Sequence, residues 1–265
     1  MAGLLADVVQ VALRVRMQRP LIHYIPNWVT ANDAANALLA FGASPIMALA
    51  PEEVADIRSA ALALNLGTPT CDRYTTMELA GRAASTRNVP IVVDPVGAGA
   101  TPFRLEHAQQ LLAALPVAIV RLNVSEAAAL LGEQTLAPGV DAVAPSMDSS
   151  GLAQAFAQRY TCVAAISGAA DVVSDGRRTL LIQNGTPLLA RITGTGCMVS
   201  GIVAACAAVD HDHVLAAAAA LLAFGVAGEM ASDAPGPGSL RVGLLDALAN
   251  LDETVLLERG KVQWI

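Results

Sequence analysis

Aromatic residues are scarce in this sequence, and charged residues are few. Aromatic residues make up 3% of the 265 residues and charged residues 15%, whereas hydrophobic residues make up 54%, and the net charge is −7. A chain this apolar is not intrinsically disordered, because disorder goes with low hydrophobicity and high charge. Nucleic-acid binders normally carry a basic face, so the acidic balance argues against nucleic acid as a partner. Alanine makes up a fifth of the chain, which predicts close packing of small aliphatic side chains between helices and a sheet.

Long hydrophobic runs and paired cysteines are also missing. A membrane-spanning helix needs about 20 apolar residues, and the longest uncharged apolar stretch, residues 214–228, is shorter, so we expect a buried helix and no membrane partner. The first 20 residues lack a basic start before an apolar run, and their helical spacing predicts a docking helix. The four cysteines are scattered without a CxxC pair, which gives no sign of a zinc site and favours a reducing, cytoplasmic location.

Short apolar runs alternate with longer alanine- and leucine-rich stretches. The runs do not alternate in polarity, which is typical of strands buried on both faces of a parallel sheet. The predicted strands are 44–49, 61–66, 90–94, 117–122 and 162–167. The predicted helices are 31–41, 51–60, 75–88, 105–115, 125–131 and 147–159. The alternation indicates an α/β layer fold, and the even composition predicts one domain over residues 1–265.

The pattern changes after residue 170. Three short runs predict antiparallel strands at this end of the sheet: 171–174, 178–183 and 187–193. Turn signals at Asp175-Gly176 and Asn184-Gly185 separate these runs, and the second is a hairpin signal. The remaining predictions are helices at 197–209, 213–231 and 239–257, and a loop at 132–146.

The sequence Thr193-Gly194-Thr195-Gly196-Cys197 leads directly into an apolar helical stretch. A glycine turn at a helix start exposes unpaired backbone N–H groups, and the helix dipole adds partial positive charge, so the turn suits a phosphate in transfer. The dipole is expected to lower the pKa of the Cys197 thiol. Two plainer interpretations stay open: an ordinary strand–helix turn, and a cysteine that serves as a small buried hydrophobic residue.

Charged side chains follow two of the predicted strands. Asp94 ends an apolar strand, and ligands of open α/β sheets gather at the carboxyl ends of strands, where a carboxylate can hold Mg²⁺. Arg121 can neutralise nucleotide phosphate at the next such junction, and Glu126 can join Asp94 around the metal. A loop-capping aspartate and a surface ion pair are the alternatives. With the glycine turn, and without a GxxxxGK[ST], GxGxxG or GxSxG motif, these residues indicate phosphoryl transfer by another type of site.

Further motifs follow in order along nearly the whole chain. They are Pro20-Leu21-Ile22-His23 with Asn27, residues 42–48, Pro51-Glu52-Glu53, Asn65-Leu66-Gly67-Thr68, residues 94–99, Arg121-x-Asn123-x-Ser125-Glu126, residues 193–197 and Pro237-Gly238-Ser239. Together they resemble the hydroxyethylthiazole kinase family, a branch of the ribokinase-like fold. The cysteine after the glycine turn is specific, because most ribokinase-like kinases have Asp there. The resemblance implies a three-layer α/β fold with a mostly parallel central sheet. It also implies phosphorylation of the primary alcohol of 4-methyl-5-(2-hydroxyethyl)thiazole by ATP with Mg²⁺, for thiamine salvage.

The resemblance implies catalytic, metal and nucleotide roles for five positions. Cys197 matches the proposed catalytic position. Asp94 and Glu126 match the acids around metal and phosphate. Arg121 and Ser167 match ATP contacts, and Ser167 stands where the family usually has Thr.

The resemblance also implies an alcohol pocket. Met47 and Gly194 match substrate-contact positions, and Asn27 and Gly67 are further pocket candidates. The family is trimeric, with this pocket between neighbouring subunits, so we expect a homotrimer.

Four residues depart from the usual family pattern: Tyr24, Pro26, Trp28 and Leu122. We expect Tyr24 or Trp28 to narrow the alcohol pocket and Leu122 to alter the approach to ATP. Packing of Trp28 at a subunit interface is the alternative.

Two other functions stay open. One is an ATP/ADP-dependent NAD(P)H-hydrate dehydratase on the same fold, against which Cys197 and the blocks around Asn27 and Met47 argue. The other is a non-catalytic thiazole- or nucleotide-binding protein, against which Asp94, Glu126 and Arg121 argue.

Overall fold

The computed structural model describes residues 2–132 and 148–265, and its centre is a nine-stranded sheet. The strands are β1 Leu21–Ile25, β2 Ser44–Ile46, β3 Ala61–Asn65, β4 Ile91–Asp94, β5 Ile119–Asn123, β6 Val163–Ser167, β7 Asp171–Ser174, β8 Thr179–Ile182 and β9 Val262–Trp264. They lie in the order β2-β1-β3-β4-β5-β6-β7-β8-β9. The pairs from β2 to β6 are parallel, and those from β6 to β9 are antiparallel. The predicted change from parallel to antiparallel strands after residue 170 is therefore confirmed.

Helices cover both faces of this sheet. They are α1 Ala2–Gln18, α2 Ala31–Phe41, α3 Cys71–Ser85, α4 Pro102–Ala114, α5 Val124–Leu131, α6 Ser149–Tyr160, α7 Thr195–Ala207, α8 His213–Met230, α9 Pro237–Asn250 and α10 Glu253–Arg259, with a 3-10 helix at Pro187–Arg191. One hydrophobic core joins the sheet to α1, α2 and α7 to α10. The other joins it to α3 to α6. The predicted three-layer α/β fold is confirmed.

The helix α8 is almost entirely aliphatic. By length and composition α8 could cross a membrane, and 78% of it is buried inside the fold. The structure thus confirms the predicted buried helix, which ends one residue before the predicted bound of 213–231. Its alanines and glycines keep the backbone close to its neighbours, as a core with few aromatic residues requires.

Parallel pairing places the ends of successive strands side by side. Asn65 at the end of β3 is in register with Asp94 at the end of β4, and Asn123 is in register with Ser167 at the end of β6. The carboxyl edge of the sheet therefore collects the polar residues that end otherwise apolar strands.

Three predicted elements are wrong. The predicted helix 51–60 is a series of turns, in which only Val54 among residues 51–58 is buried, so no apolar face holds a helix there. The predicted helix 239–257 is two helices, because Asp252 accepts a hydrogen bond from the Val255 amide and begins α10. Residues 187–191 form the 3-10 helix instead of a strand. The predicted loop 132–146 lies outside the described residues, apart from Gly132.

The hairpin predicted at Asn184-Gly185 is also wrong. The Asn184 side chain accepts a hydrogen bond from the Lys261 amide at 2.7 Å and donates to the Arg259 carbonyl at 2.9 Å. These bonds hold the end of β8 to the segment that leads into β9, and β9 takes the place of a hairpin partner. Neither β9 nor β1 was predicted.

Gly225 of α8 allows the closest helix–loop approach near this segment. A Cβ at Gly225 would lie 2.7 Å from the Asn184 carbonyl oxygen, whereas one at Gly243 in α9 would meet only ordinary contacts from 3.5 Å. We expect Gly225→Ala to lower the free energy of unfolding by about 1–3 kcal/mol through overpacking. The control Gly243→Ala should leave it unchanged or raise it by about 0.5–1 kcal/mol, because alanine favours helix. Urea unfolding at one protein concentration measures both, and equal midpoints for the two variants would contradict this packing.

Candidate active site

Asp94 is the buried centre of a polar cluster at the carboxyl edge of the sheet. It is 2% exposed. Its Oδ2 accepts hydrogen bonds from Asn65 Nδ2 at 3.0 Å and Ser200 Oγ at 2.7 Å. Arg121 Nη1 lies 3.9 Å from the same oxygen. Within residues 2–132 and 148–265, the other carboxylate oxygen, Oδ1, is buried without a hydrogen-bond partner, so it is available to a ligand.

The glycine turn brings the start of α7 to this cluster. Gly194 precedes the helix in the left-handed region, with φ of 89°. A Cβ on Gly196 would lie 2.5 Å from Arg121 Nη1, so glycine is needed there for Arg121 to approach the helix start. Free amide groups and a guanidinium therefore meet at one place, as expected of an anion site.

Cys197 lies in the first turn of α7 and is 7% exposed. Asn27 Nδ2 donates to Cys197 Sγ at 3.2 Å and to Asn65 Oδ1 at 2.9 Å. A chain of hydrogen bonds thus runs from the thiol through Asn27 and Asn65 to Asp94.

The expectation that the helix dipole lowers the pKa of the Cys197 thiol is wrong. Burial raises that pKa, and the charge of Asp94 raises it further. The neighbouring polar side chains of Thr30, Asn65 and Asn27 lower it with a smaller effect. Since the ordinary thiol pKa is already about 8.5, the resting group at neutral pH is the protonated thiol.

Glu126 joins the loop after β4 to the start of α5. Its Oε1 accepts a hydrogen bond from the Gly97 amide at 2.7 Å, and its Oε2 accepts one from the Asn123 amide at 2.8 Å. The Asn123 side chain accepts from the Glu126 amide in return, which completes a capping box. Burial raises the pKa of Glu126 to about 7, and the charge of Asp94 contributes to the shift. The two acids are therefore close enough to influence each other.

A cavity of about 600 Å³ opens beside the glycine turn. Its lining includes Arg121, Ser167, Asp171, Thr186, Gly196 and Phe224. Arg121 Nη2 donates a hydrogen bond to Ser167 Oγ at 2.6 Å, so the two predicted ATP contacts share one wall. Asp171, which the sequence analysis missed, accepts a hydrogen bond from the Gly168 amide, and burial raises its pKa to about 6. The cavity has apolar and charged walls, as expected for a base and phosphates.

The predicted alcohol-pocket residues lie at the same edge of the sheet. Gly67 donates its amide to Asn65 Oδ1 at 3.0 Å, and a Cβ on Gly67 would lie 2.9 Å from Asn27 Cβ. Gly194 contacts the Thr30 methyl group closely. Met47 follows β2 and packs, partly buried, against the core that includes α1, α2 and α7 to α10, outside the hydrogen-bonded cluster.

The sequence analysis gave no role to three polar residues at this site. Asn65 ends the apolar strand β3, Ser200 is a serine within the apolar helix α7, and Thr30 immediately precedes α2. The signal was present for the first two, because each is a polar residue in a segment that is otherwise buried and apolar.

The structure places Tyr24 and Leu122, two residues that depart from the family pattern, in the core of the fold. Tyr24 is fully buried, and its hydroxyl donates a hydrogen bond to the Cys197 carbonyl at 2.8 Å. Tyr24 therefore links β1 to the first turn of α7 and does not line an open pocket. Leu122 is fully buried in the core beside α3 to α6 and is not part of the lining of the cavity beside the glycine turn. Trp28 is 62% exposed, with the Arg73 guanidinium 5.0 Å from its ring, and Arg73 also donates to the Pro26 carbonyl.

The carboxylate oxygens at this site suit a hard cation that takes its remaining ligands from water or substrate. In the part of the chain that the structure describes, no group of three His, Cys, Asp or Glu residues could hold a metal by itself. The unpartnered Asp94 Oδ1 and the Glu126 carboxylate supply oxygen donors. Mg²⁺ is commonly held by one or two carboxylates with water and substrate phosphate, so the residues present fit it.

The raised pKa of Glu126 predicts a pH-dependent stability of the metal-free protein. Its usual pKa is 4.5 and its folded value is about 7, so the folded state binds more protons across this range. Stability should then fall as the pH rises from about 4.5 to 7, by about 1–3 kcal/mol relative to Glu126→Gln, which cannot titrate. Urea unfolding in the presence of a chelator measures the difference. Parallel pH profiles for the two proteins would rule out this titration.

Comparison with known proteins agrees with this geometry. Residues 13–254 match the profile of the hydroxyethylthiazole kinase family. The curated hydroxyethylthiazole kinase of Herpetosiphon aurantiacus is 47% identical over 242 residues, which cover 91% of this chain and 90% of that protein. That of Methanosphaerula palustris is 44% identical over 252 residues, covering 94% and 95%.

A solved structure also matches over nearly the full length. The structure of the hydroxyethylthiazole kinase protein of Pyrococcus horikoshii superposes with a TM-score of 0.90 and 40% identity, covering 97% of this chain and 98% of that one. The pyridoxal kinase of Staphylococcus aureus with ADP is more distant, with a TM-score of 0.59 and 17% identity over 78% of this chain and 86% of that one, and it shows the shared ribokinase-like fold alone. With these matches over most of its length, the chain belongs to the hydroxyethylthiazole kinase family.

Proposed function

We propose that this chain, as one kinase domain, transfers the γ-phosphoryl group of ATP to the primary alcohol of 4-methyl-5-(2-hydroxyethyl)thiazole in thiamine salvage. The observation that carries the proposal is the meeting of Asp94, Arg121 and Cys197 at the glycine turn before α7. Relatives over most of the chain are named for this activity. The assay is direct: purified protein, MgATP and hydroxyethylthiazole, with the phosphate ester detected by mass. NAD(P)H-hydrate dehydration without ester formation would favour the alternative enzyme, and binding without product would favour a sensor.

In this proposal the nucleotide occupies the cavity beside the glycine turn. Arg121 and Ser167 form one wall and the start of α7 another. The phosphates then face the amides and the guanidinium, which are preorganised positive groups. Phosphoryl transfer depends mainly on such positioning and charge stabilisation.

Asp94 and Glu126 are the residues that would hold Mg²⁺. When bound, the ion would neutralise phosphate charge during transfer. Burial raises the pKa values of both acids, and the charge of Asp94 adds to the shift of Glu126. A nearby cation favours their ionised forms.

Asn27, Gly67, Met47 and Gly194 would form the alcohol pocket, and Cys197 would lie beside the reacting oxygen. The raised pKa of the buried thiol leaves little thiolate at neutral pH. Strong base catalysis is less important in a loose transition state, where bond formation to the nucleophile lags. We therefore assign Cys197 an assisting role.

A homotrimer in the cytoplasm completes the proposal. Trp28 and Val29 are exposed apolar residues directly after Asn27, which supports a partner subunit at the pocket. The four cysteines are free, which agrees with a reducing compartment. Sedimentation at micromolar protein should give about three times the chain mass of 27.1 kDa. A fully active monomer would contradict an alcohol pocket shared between subunits.

Removal of either acid should reduce turnover strongly. We expect Asp94→Asn and Glu126→Gln each to lower kcat by about 100- to 1,000-fold, the usual effect of losing one preorganised charge contact. The control Asp210→Asn removes a partly buried acid that pairs with Arg14 beyond the far end of α7, and it should keep kcat. Steady-state kinetics at saturating Mg²⁺ test this. Near wild-type turnover in both site variants would refute the metal assignment.

Replacement of Cys197 should impair the enzyme without abolishing turnover. We expect Cys197→Ala to lose at most about 100- to 10,000-fold in kcat, the usual range for loss of a general base. Cys197→Asp should stay active, because a carboxylate at this turn can accept the alcohol proton. The control Cys206→Ala alters a fully buried cysteine two turns further along α7. Complete loss in Cys197→Asp with ATP binding intact would give the thiol a nucleophilic or structural role.

A further inference from the structure

The Thr30 hydroxyl is a buried polar group that does not cap the helix it precedes. Thr30 occupies the position before the first turn of α2 and is 3% exposed. A threonine there usually accepts a hydrogen bond from a helix amide, yet the side chain of Thr30 makes no such cap bond. Among the residues that the structure covers, Thr30 Oγ1 has no hydrogen-bond partner with ordinary geometry. Such a buried hydroxyl destabilises the folded state.

The turn before α2 is held by a different side chain. Asn27 Oδ1 accepts hydrogen bonds from the Val29 amide at 2.9 Å and the Thr30 amide at 3.0 Å. The turn that leads into α2 is therefore held by Asn27. The Thr30 hydroxyl is not needed to build it.

The position of the hydroxyl is set by close contact with the glycine turn. A Cβ on Gly194 would lie 2.4 Å from Thr30 Cγ2 but 4.0 Å from Oγ1, so the methyl group faces Gly194 and the hydroxyl is turned away from it. Thr30 is also one of the neighbours that act on the Cys197 thiol. The unpaired hydroxyl thus belongs to a residue that neighbours Asn27 and Cys197, where the proposed function places the acceptor alcohol.

We propose that Thr30 Oγ1 hydrogen-bonds the oxygen of the acceptor alcohol and orients it toward the phosphate. The inference rests on the proposed function. An alcohol oxygen has two lone pairs, one of which must face phosphorus, and the Thr30 O–H can donate to the other. The bound alcohol would then be the hydrogen-bond partner that this hydroxyl lacks in the free protein.

The test compares Thr30→Val with Thr30→Ser. Valine keeps the shape and removes the hydroxyl, so kcat/KM for hydroxyethylthiazole should fall about three- to tenfold, the effect of one ordinary hydrogen bond. The KM for ATP should stay unchanged. Serine keeps the hydroxyl and should retain kcat/KM within about twofold of wild type.

Two further measurements separate this role from a structural one. The deoxy analogue 5-ethyl-4-methylthiazole has no hydroxyl, so its inhibition constant should be equal in the wild type and in Thr30→Val. The urea midpoint of Thr30→Val should equal or exceed that of the wild type, because an unpaired buried hydroxyl is removed. The control Thr76→Val removes a buried hydroxyl that donates to the Asp72 carbonyl at 3.0 Å. It should lose stability and keep kcat/KM.

Unchanged kcat/KM in Thr30→Val would overturn the inference, and so would equal losses for the alcohol and its deoxy analogue. If Thr30→Val does not fold, a loss of alcohol turnover beyond tenfold in Thr30→Ser with wild-type stability would also overturn it. Failure of the wild-type protein to phosphorylate hydroxyethylthiazole would instead refute the proposed function itself.

Discussion

A buried negative charge is the constraint around which this edge of the sheet is organised. Asp94 lies in a nearly water-free position, where an ionised carboxylate is unfavourable unless donors and cations surround it. Those groups come from three different elements, Asn65 of β3, Arg121 of β5 and Ser200 of α7. Parallel strand order makes this convergence possible, because neighbouring strands end at one edge. The fold thus binds one oxygen of this carboxylate and leaves the other without a hydrogen-bond partner among the described residues.

The scarcity of large side chains follows from how closely the helices approach the sheet. Gly196 admits the Arg121 guanidinium, and Gly201 faces Tyr24 and Leu38 in the same helix–sheet interface. Larger residues at such positions would separate α7 from the strands and move Cys197 away from Asn27. The small apolar residues of α7 and α8 therefore allow the close packing that keeps the polar side chains of the site at fixed distances.

The pattern of apolar residues along the chain was enough to predict most of the strands. It also predicted that Asp94, Arg121 and Cys197 converge, because parallel strand order brings the ends of neighbouring strands together. It failed where distant residues decide the outcome. The Asn184-Gly185 pair looks like a hairpin turn, but its asparagine binds the backbone at residues 259 and 261. The pKa of Cys197 depends on burial and on Asp94, which lies over a hundred positions away. Tyr24 seemed a pocket residue because its depth in the core is not visible in a sequence.

Asn184 also links the cavity beside the glycine turn to the last part of the chain to be synthesised. Asn184 belongs to the cavity wall, and the backbone groups that hold it come from residues 259 and 261, beside a strand that closes the sheet edge. A nascent chain that has already emerged through α7 and α8 therefore still lacks the support of that wall. The shape of this cavity therefore depends on residues close to the carboxyl end of the chain, far in sequence from the glycine turn.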